Sequence, residues 1–126
     1  MPATPETLAP VYDRLRAMMH ARHDGLHVLA DAPGDYQLET VDVNAQFRKK
    51  VWFGAVQQKK QYVSVHLIPV YENPALLDAV SDRLKKRMQG KSCFNFAAID
   101  DALFAELDTL IACCKADFAG KFMTGG

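Results

Sequence analysis

The chain has 126 residues and a mass of 14.0 kDa, with 49% hydrophobic and 24% charged residues. That is enough for one domain with its own core and too little for two, and the composition excludes a disordered chain. Fifteen Lys and Arg balance fifteen Asp and Glu, which excludes both a strongly basic nucleic-acid tail and an acidic tail.

The elements follow in chain order. Thr4-Pro5-Glu6-Thr7 carries the signals of a helix start: a capping threonine, proline at the first helical position and an acid at the positive end. A cap at Thr7 is the alternative, since it leaves Pro10 within the first turn. Leu8, Val11, Tyr12, Leu15, Met18 and Met19 then recur at helical spacing, and Asp24-Gly25 marks the expected end. Leu26 to Ala30, a turn over residues 31–35 and Tyr36 to Val43 predict a first hairpin. Tyr36, Leu38 and Thr40 are on one face, and Val41 and Val43 on the other. Lys50 to Gln57 and Tyr62 to Ile68 are the clearest strands, rich in β-branched and aromatic residues and joined by a polar loop. In the second of them Val63, Val65 and Leu67 form an apolar face, and Tyr62, Ser64 and His66 the opposite, more polar one. Pro69 stops that strand.

Asn73-Pro74 predicts a further helix start, with a second cap at Ser81 and an end at Gly90. Ser92 to Ala97 reads as a strand, with Phe94 and Phe96 opposite Cys93, Asn95 and Ala97. Asp100 or Asp101 caps the last helix, whose apolar stripe runs through Leu103, Phe104, Leu107, Leu110, Ile111, Cys114 and Phe118 to Gly120. The order α-β-β-β-β-α-β-α, with hairpins in place of alternating β-α units, predicts a single α+β domain over residues 1–126. It consists of a mainly antiparallel sheet of about five strands with helices packed on one face.

Cys93, Cys113 and Cys114 are odd in number and two are adjacent, a poor disulfide framework, so reduced thiols in a reducing compartment are expected. With no basic-then-apolar leader and no run of ~20 apolar residues, the expected location is cytoplasmic, without membrane association.

The charge balance is uneven along the chain: −4 over residues 1–42, +7 over 43–99 and −3 over 100–126. The bases of the middle segment include Lys49, Lys50, Lys59, Lys60, Lys85, Lys86, Arg87 and Lys91. One reading is solubility and protection of sheet edges and hairpin tips. The other is a basic surface for an anionic partner.

Gly90-Lys91-Ser92 resembles the end of a phosphate-binding loop. It lacks the earlier glycine and runs from helix into strand, the reverse of that motif, so no nucleotide site is assigned. His20, His23 and His27 have short spacing near a helix end; solvent-facing histidines near the negative dipole are the preferred explanation, and no metal residue is assigned. Cys114 belongs to the apolar face of the last helix. Cys93 and His66, with Asn95, would need hydrogen-bond contact and an orienting group to act as a nucleophile set, and no catalytic residue is assigned. Trp52, Tyr62, Ser64, His66, Cys93 and Asn95 are the candidate ligand-binding residues, grouped on an open sheet face where small molecules bind.

Trp52-Phe53-Gly54, Tyr62 through Tyr71 (YVSVHLIPVY) and Arg87 through Phe96 (RMQGKSCFNF) resemble the bacterial YdhG-like domain of unknown function, most strongly from Lys49 to Phe96. The resemblance implies an α+β sandwich similar to frataxin, and one branch of that family is associated with intracellular iron delivery. No iron ligands carry over: the first helix offers Glu6 and Asp13 among Arg14, Arg16 and Arg22. The leading expectation is a non-enzymatic module that binds a small ligand or protein partner, without a cofactor, as a monomer or homodimer. Iron delivery is the alternative by resemblance, and an anionic partner on the basic segment a further one.

Overall fold

The computed structural model of the protein describes residues 4–41, 48 and 50–123. In chain order it contains α1 (Pro5–His20), β1 (Leu26–Ala32), β2 (Asp35–Thr40), β3 (Trp52–Gln58), β4 (Val63–Leu67), α2 (Ile68–Glu72), α3 (Asp82–Lys85), β5 (Cys93–Phe96) and α4 (Asp101–Phe118). The order is the predicted one, and the class is α+β. Val43 and Lys49 lie outside the described residues. Among the described residues, no helix is long and apolar enough to cross a membrane.

Thr4 caps α1 through a reciprocal pair with Thr7: each threonine hydroxyl accepts from the other residue's main-chain N–H, at 3.2 and 2.8 Å. The helix ends at His20, earlier than Gly25. Gly25, at φ 77°, instead turns the chain into β1. The first hairpin closes on two residues, Pro33 and Gly34, so β1 runs two residues longer than predicted and β2 ends at Thr40. Val41 is left exposed.

The region between β4 and β5 differs most from expectation. Pro69 stops the strand, but it does so by opening the short helix α2, since proline suits a first helical turn. Pro74–Leu77 forms only a 3-10 turn. Ser81 accepts from Leu84 N–H at 3.2 Å and caps α3, which ends at Lys85 rather than at Gly90. Met88 then leaves the helical path and bridges antiparallel to Phe94.

The sheet is antiparallel throughout, in the order β1-β2-β3-β4-β5. Tyr36, Leu38, Val56, Val63, Val65, Leu67, Phe94 and Phe96 point to one side. There they share a core with Leu8, Val11, Leu15 and Met19 of α1 and the stripe of α4. The burial of this single face drives assembly, at about 25 cal/mol per Å² of apolar surface removed from water.

Strand β3 carries the feature that sets the other face. Leu38 pairs with Gly54 and Glu39 pairs with Trp52, so Phe53 is an extra, bulged residue. Strict alternation would turn Trp52 inward with Gly54 and Phe53 outward. With the bulge, Phe53 is fully buried, its ring 5.1 Å from that of Phe118, and Trp52 falls on the side away from the helices. Gly54, opposite Leu67, sits so close to β4 that a Cβ there would overlap the His66 carbonyl oxygen. Only glycine fits without moving one strand off the other. Gly54→Ala is therefore expected to lower the unfolding free energy by roughly 1–3 kcal/mol. It should also shift the emission of Trp52, the only tryptophan of the chain. An unchanged urea midpoint and spectrum would contradict this role.

Candidate functional site on the open sheet face

The face turned away from the helices is built from alternate residues of five strands. The pairing lays them out in rows. One row runs Gln37, Ala55, His66, Cys93; the next runs Asp35, Gln57, Ser64, Asn95. Trp52 stands at the start of β3 beside the first row. Its ring meets the His66 ring edge-on, with centroids 4.6 Å apart. Of the six residues singled out in the sequence, five are thus gathered here: Trp52, Ser64, His66, Cys93 and Asn95. Tyr62 lies outside these paired rows. It precedes β4, is exposed, and its carbonyl accepts from Lys59 N–H at 2.8 Å to close the β3–β4 turn.

Ser92 joins the site unannounced. Its hydroxyl oxygen lies 2.7 Å from His66 Nε2, and the residue is buried. Alternation placed Ser92 on the core side, opposite Cys93. The strand begins only at Cys93, so Ser92 escapes that rule. The serine–imidazole contact resembles the first half of a nucleophile–base pair. Among the described residues no third group meets Nδ1 to orient the ring as a base, and the serine holds the imidazole in place.

Two polar atoms on this face are sealed from solvent and have no hydrogen-bond partner among the described residues: the Trp52 indole nitrogen, a donor, and Asn95 Oδ1, an acceptor. The third such atom in the protein's described part, Asp117 Oδ2, differs because the Lys121 ammonium lies 3.0 Å away. Leaving a buried donor or acceptor unsatisfied costs about 1–3 kcal/mol. Two of opposite kind on one face are a feature that packing alone does not explain.

The other candidate groups are engaged by their own neighbours. His20 Nδ1 is 2.6 Å from the Tyr36 hydroxyl, whose pKa burial pushes up to about 12. His23 donates through Nδ1 to the His20 carbonyl at 2.6 Å, and His27 Nδ1 lies 2.8 Å from Glu39 Oε2. Among the described residues, no group of three or more His, Cys, Asp or Glu is arranged to hold a metal ion. Cys114 is buried, and burial raises its thiol pKa to about 12, as suits a core residue. A groove of about 430 Å³ runs between α1 and α4, in the helix layer and away from the open face. Its charges are already paired, Arg14 with Asp101 at 2.8 Å and Asp108 with Arg22 at 3.2 Å.

The bases of the middle segment separate. Lys59 and Lys60 are at the tip of the β3–β4 hairpin, next to the Gln58–Val63 pair; Lys59 donates to Gln57 Oε1 at 3.2 Å. Lys91 precedes Cys93 at the opposite end of the β4–β5 ladder. Lys50 lies 3.6 Å from Glu39. Lys85, Lys86 and Arg87 are exposed in α3 and the turn after it.

Burial lowers the His66 pKa below its ordinary value of about 6.5. The unfolded chain therefore takes up this proton at higher pH than the folded chain. The stability contributed by neutral His66 is complete above about pH 6.5 and falls as the pH drops through that value toward the lower folded pKa. Urea unfolding is expected to show a smaller acid-side loss in His66→Asn than in the unsubstituted chain. Identical losses would contradict the assignment. Compared with known proteins, the chain matches no family model, no curated protein and no solved structure.

Proposed function

We propose that the protein is a binding module whose ligand seats on the open sheet face over Trp52, His66 and Asn95. The observation that carries this reading is the pair of buried, unpartnered atoms, the Trp52 N–H and Asn95 Oδ1, flanking an imidazole fixed by Ser92. A sheet that leaves a donor and an acceptor unmet forgoes stability, and a ligand that meets both recovers it on binding. The α+β sandwich is the fold that the YdhG-like resemblance implies, and that family assignment belongs to this proposal. Iron delivery, which one branch of that family implies, is the alternative, and titration with ferrous and ferric iron tests it.

The reading separates stability from binding. Asn95→Leu removes an unmet acceptor and should leave the unfolding free energy unchanged or raised, within about 0.5–1 kcal/mol. A screen of metabolite-sized compounds, read by Trp52 emission, should yield saturable ligands that this folded variant no longer binds. Marked destabilisation by Asn95→Leu would show that the carboxamide serves the fold. Ligands that bind without perturbing Trp52 would place the site elsewhere.

A further inference from the structure

The Met88–Phe94 bridge has a consequence for charge on the open face. Two main-chain bonds flank it: Asn95 N–H donates to the Arg87 carbonyl at 2.8 Å, and Gln89 N–H to the Cys93 carbonyl at 2.9 Å. Residues 87–89, leaving the turn after α3, thus lie alongside β5 through one isolated bridge. Met88 packs against the core, and Arg87, exposed and just before it, lies across from Asn95 at the end of the row that includes Ser64. Arg14, Arg16, Arg22 and Arg83 are each paired with an aspartate, whereas Arg87 has no ion pair among the described residues. The acids of the open face, Asp35 and Glu39, are on β2, with β3, β4 and β5 between them and Arg87. Asp35 accepts from Gln37 and Gln57 at 3.0 and 3.1 Å, and Glu39 is held by His27 and Lys50.

The protons of the His66–Ser92 contact can be assigned by accounting. Were His66 Nε2 the donor, the buried Ser92 O–H would have no acceptor among the described residues. With the hydroxyl donating to Nε2, both groups are satisfied, and the imidazole proton of the neutral ring lies on Nδ1. The Trp52 indole N–H and the His66 Nδ1–H are then two free donors on rings in contact.

Resting on the binding site proposed above, we infer that its ligand carries an oxyanion, a carboxylate or phosphate group, received by the Trp52 and His66 N–H donors with Arg87 as the counter-charge. Two N–H donors beside an unpaired guanidinium suit an acceptor-rich anion. The Asn95 oxygen takes a hydroxyl or N–H elsewhere on the same ligand.

The test uses the full chain and three probes followed by Trp52 emission: benzoate, phenyl phosphate and benzamide, the neutral counterpart of benzoate. At least one oxyanion should saturate with a dissociation constant of about 1 mM, as its small size allows. It should bind roughly tenfold more tightly than benzamide, and Arg87→Gln should remove most of that difference. Preference for benzoate or for phenyl phosphate identifies the source of the anion. Lys86→Gln is the control for diffuse charge. If it weakens binding as much as Arg87→Gln, or if benzamide binds as well as both oxyanions, the oxyanion inference is overturned while the site stands. If none of the three saturates at Trp52, and the compound screen is also silent there, the site itself is overturned.

Discussion

The contact between β3 and β4 at Gly54 is the constraint on which the candidate site depends. The two backbones approach there too closely for a Cβ, and the strand takes in one extra residue, Phe53, immediately before the contact. The bulge resolves a conflict in Trp52-Phe53-Gly54, since two large aromatics in succession cannot both face the core of a regular strand. Phe53 goes inward against Phe118, and Trp52 goes outward against His66. A regular β3 would have buried the indole and left the open face without its largest group. The same register sets the imidazole opposite Cys93, within reach of Ser92.

The open face combines features that differ in what they do for stability. Gln37 and Gln57 donate to Asp35, His27 holds Glu39, and Ser92 holds His66, so most polar groups are met within the protein. The Trp52 N–H and Asn95 oxygen are the exceptions. An apolar pair in their place would cost little or nothing, and polar side chains that weaken a fold locally are expected where a protein meets a ligand. Charge follows the same division. The helix-layer arginines are tied to aspartates across α1, β1, α3 and α4, and the arginine beside the open face has no such partner among the described residues.

Much of the fold was legible in the residues. The apolar stripes of α1 and α4, the caps at Thr4 and Asp100 and the alternation of β4 and β5 each reflect local periodicity, and all reappear in the structure. The segment from Ile68 to Gly90 was less legible, because its helices are only four or five residues long and carry too few turns for a stripe to declare itself. Met88 fits a helical spacing from Leu84 and is nonetheless drawn into a bridge with Phe94, a tertiary contact that no local rule contains. The site was legible to the same degree. Ser64, His66, Cys93 and Asn95 followed from strict alternation. The bulge that turns Trp52 outward, the side of Ser92 and the position of Arg87 beside β5 each depend on an irregular pairing.

The central claim is that Trp52 and His66, their rings in contact, each hold an N–H that no group among the described residues accepts. A long-range nitrogen–proton correlation spectrum of the imidazole at neutral pH tests it most directly, combined with through-space contacts to the indole N–H. The account predicts that His66 is neutral with its proton on Nδ1, and that its ring protons contact the Trp52 side chain. A proton on Nε2, or a Trp52 ring with no contact to the imidazole, would contradict it.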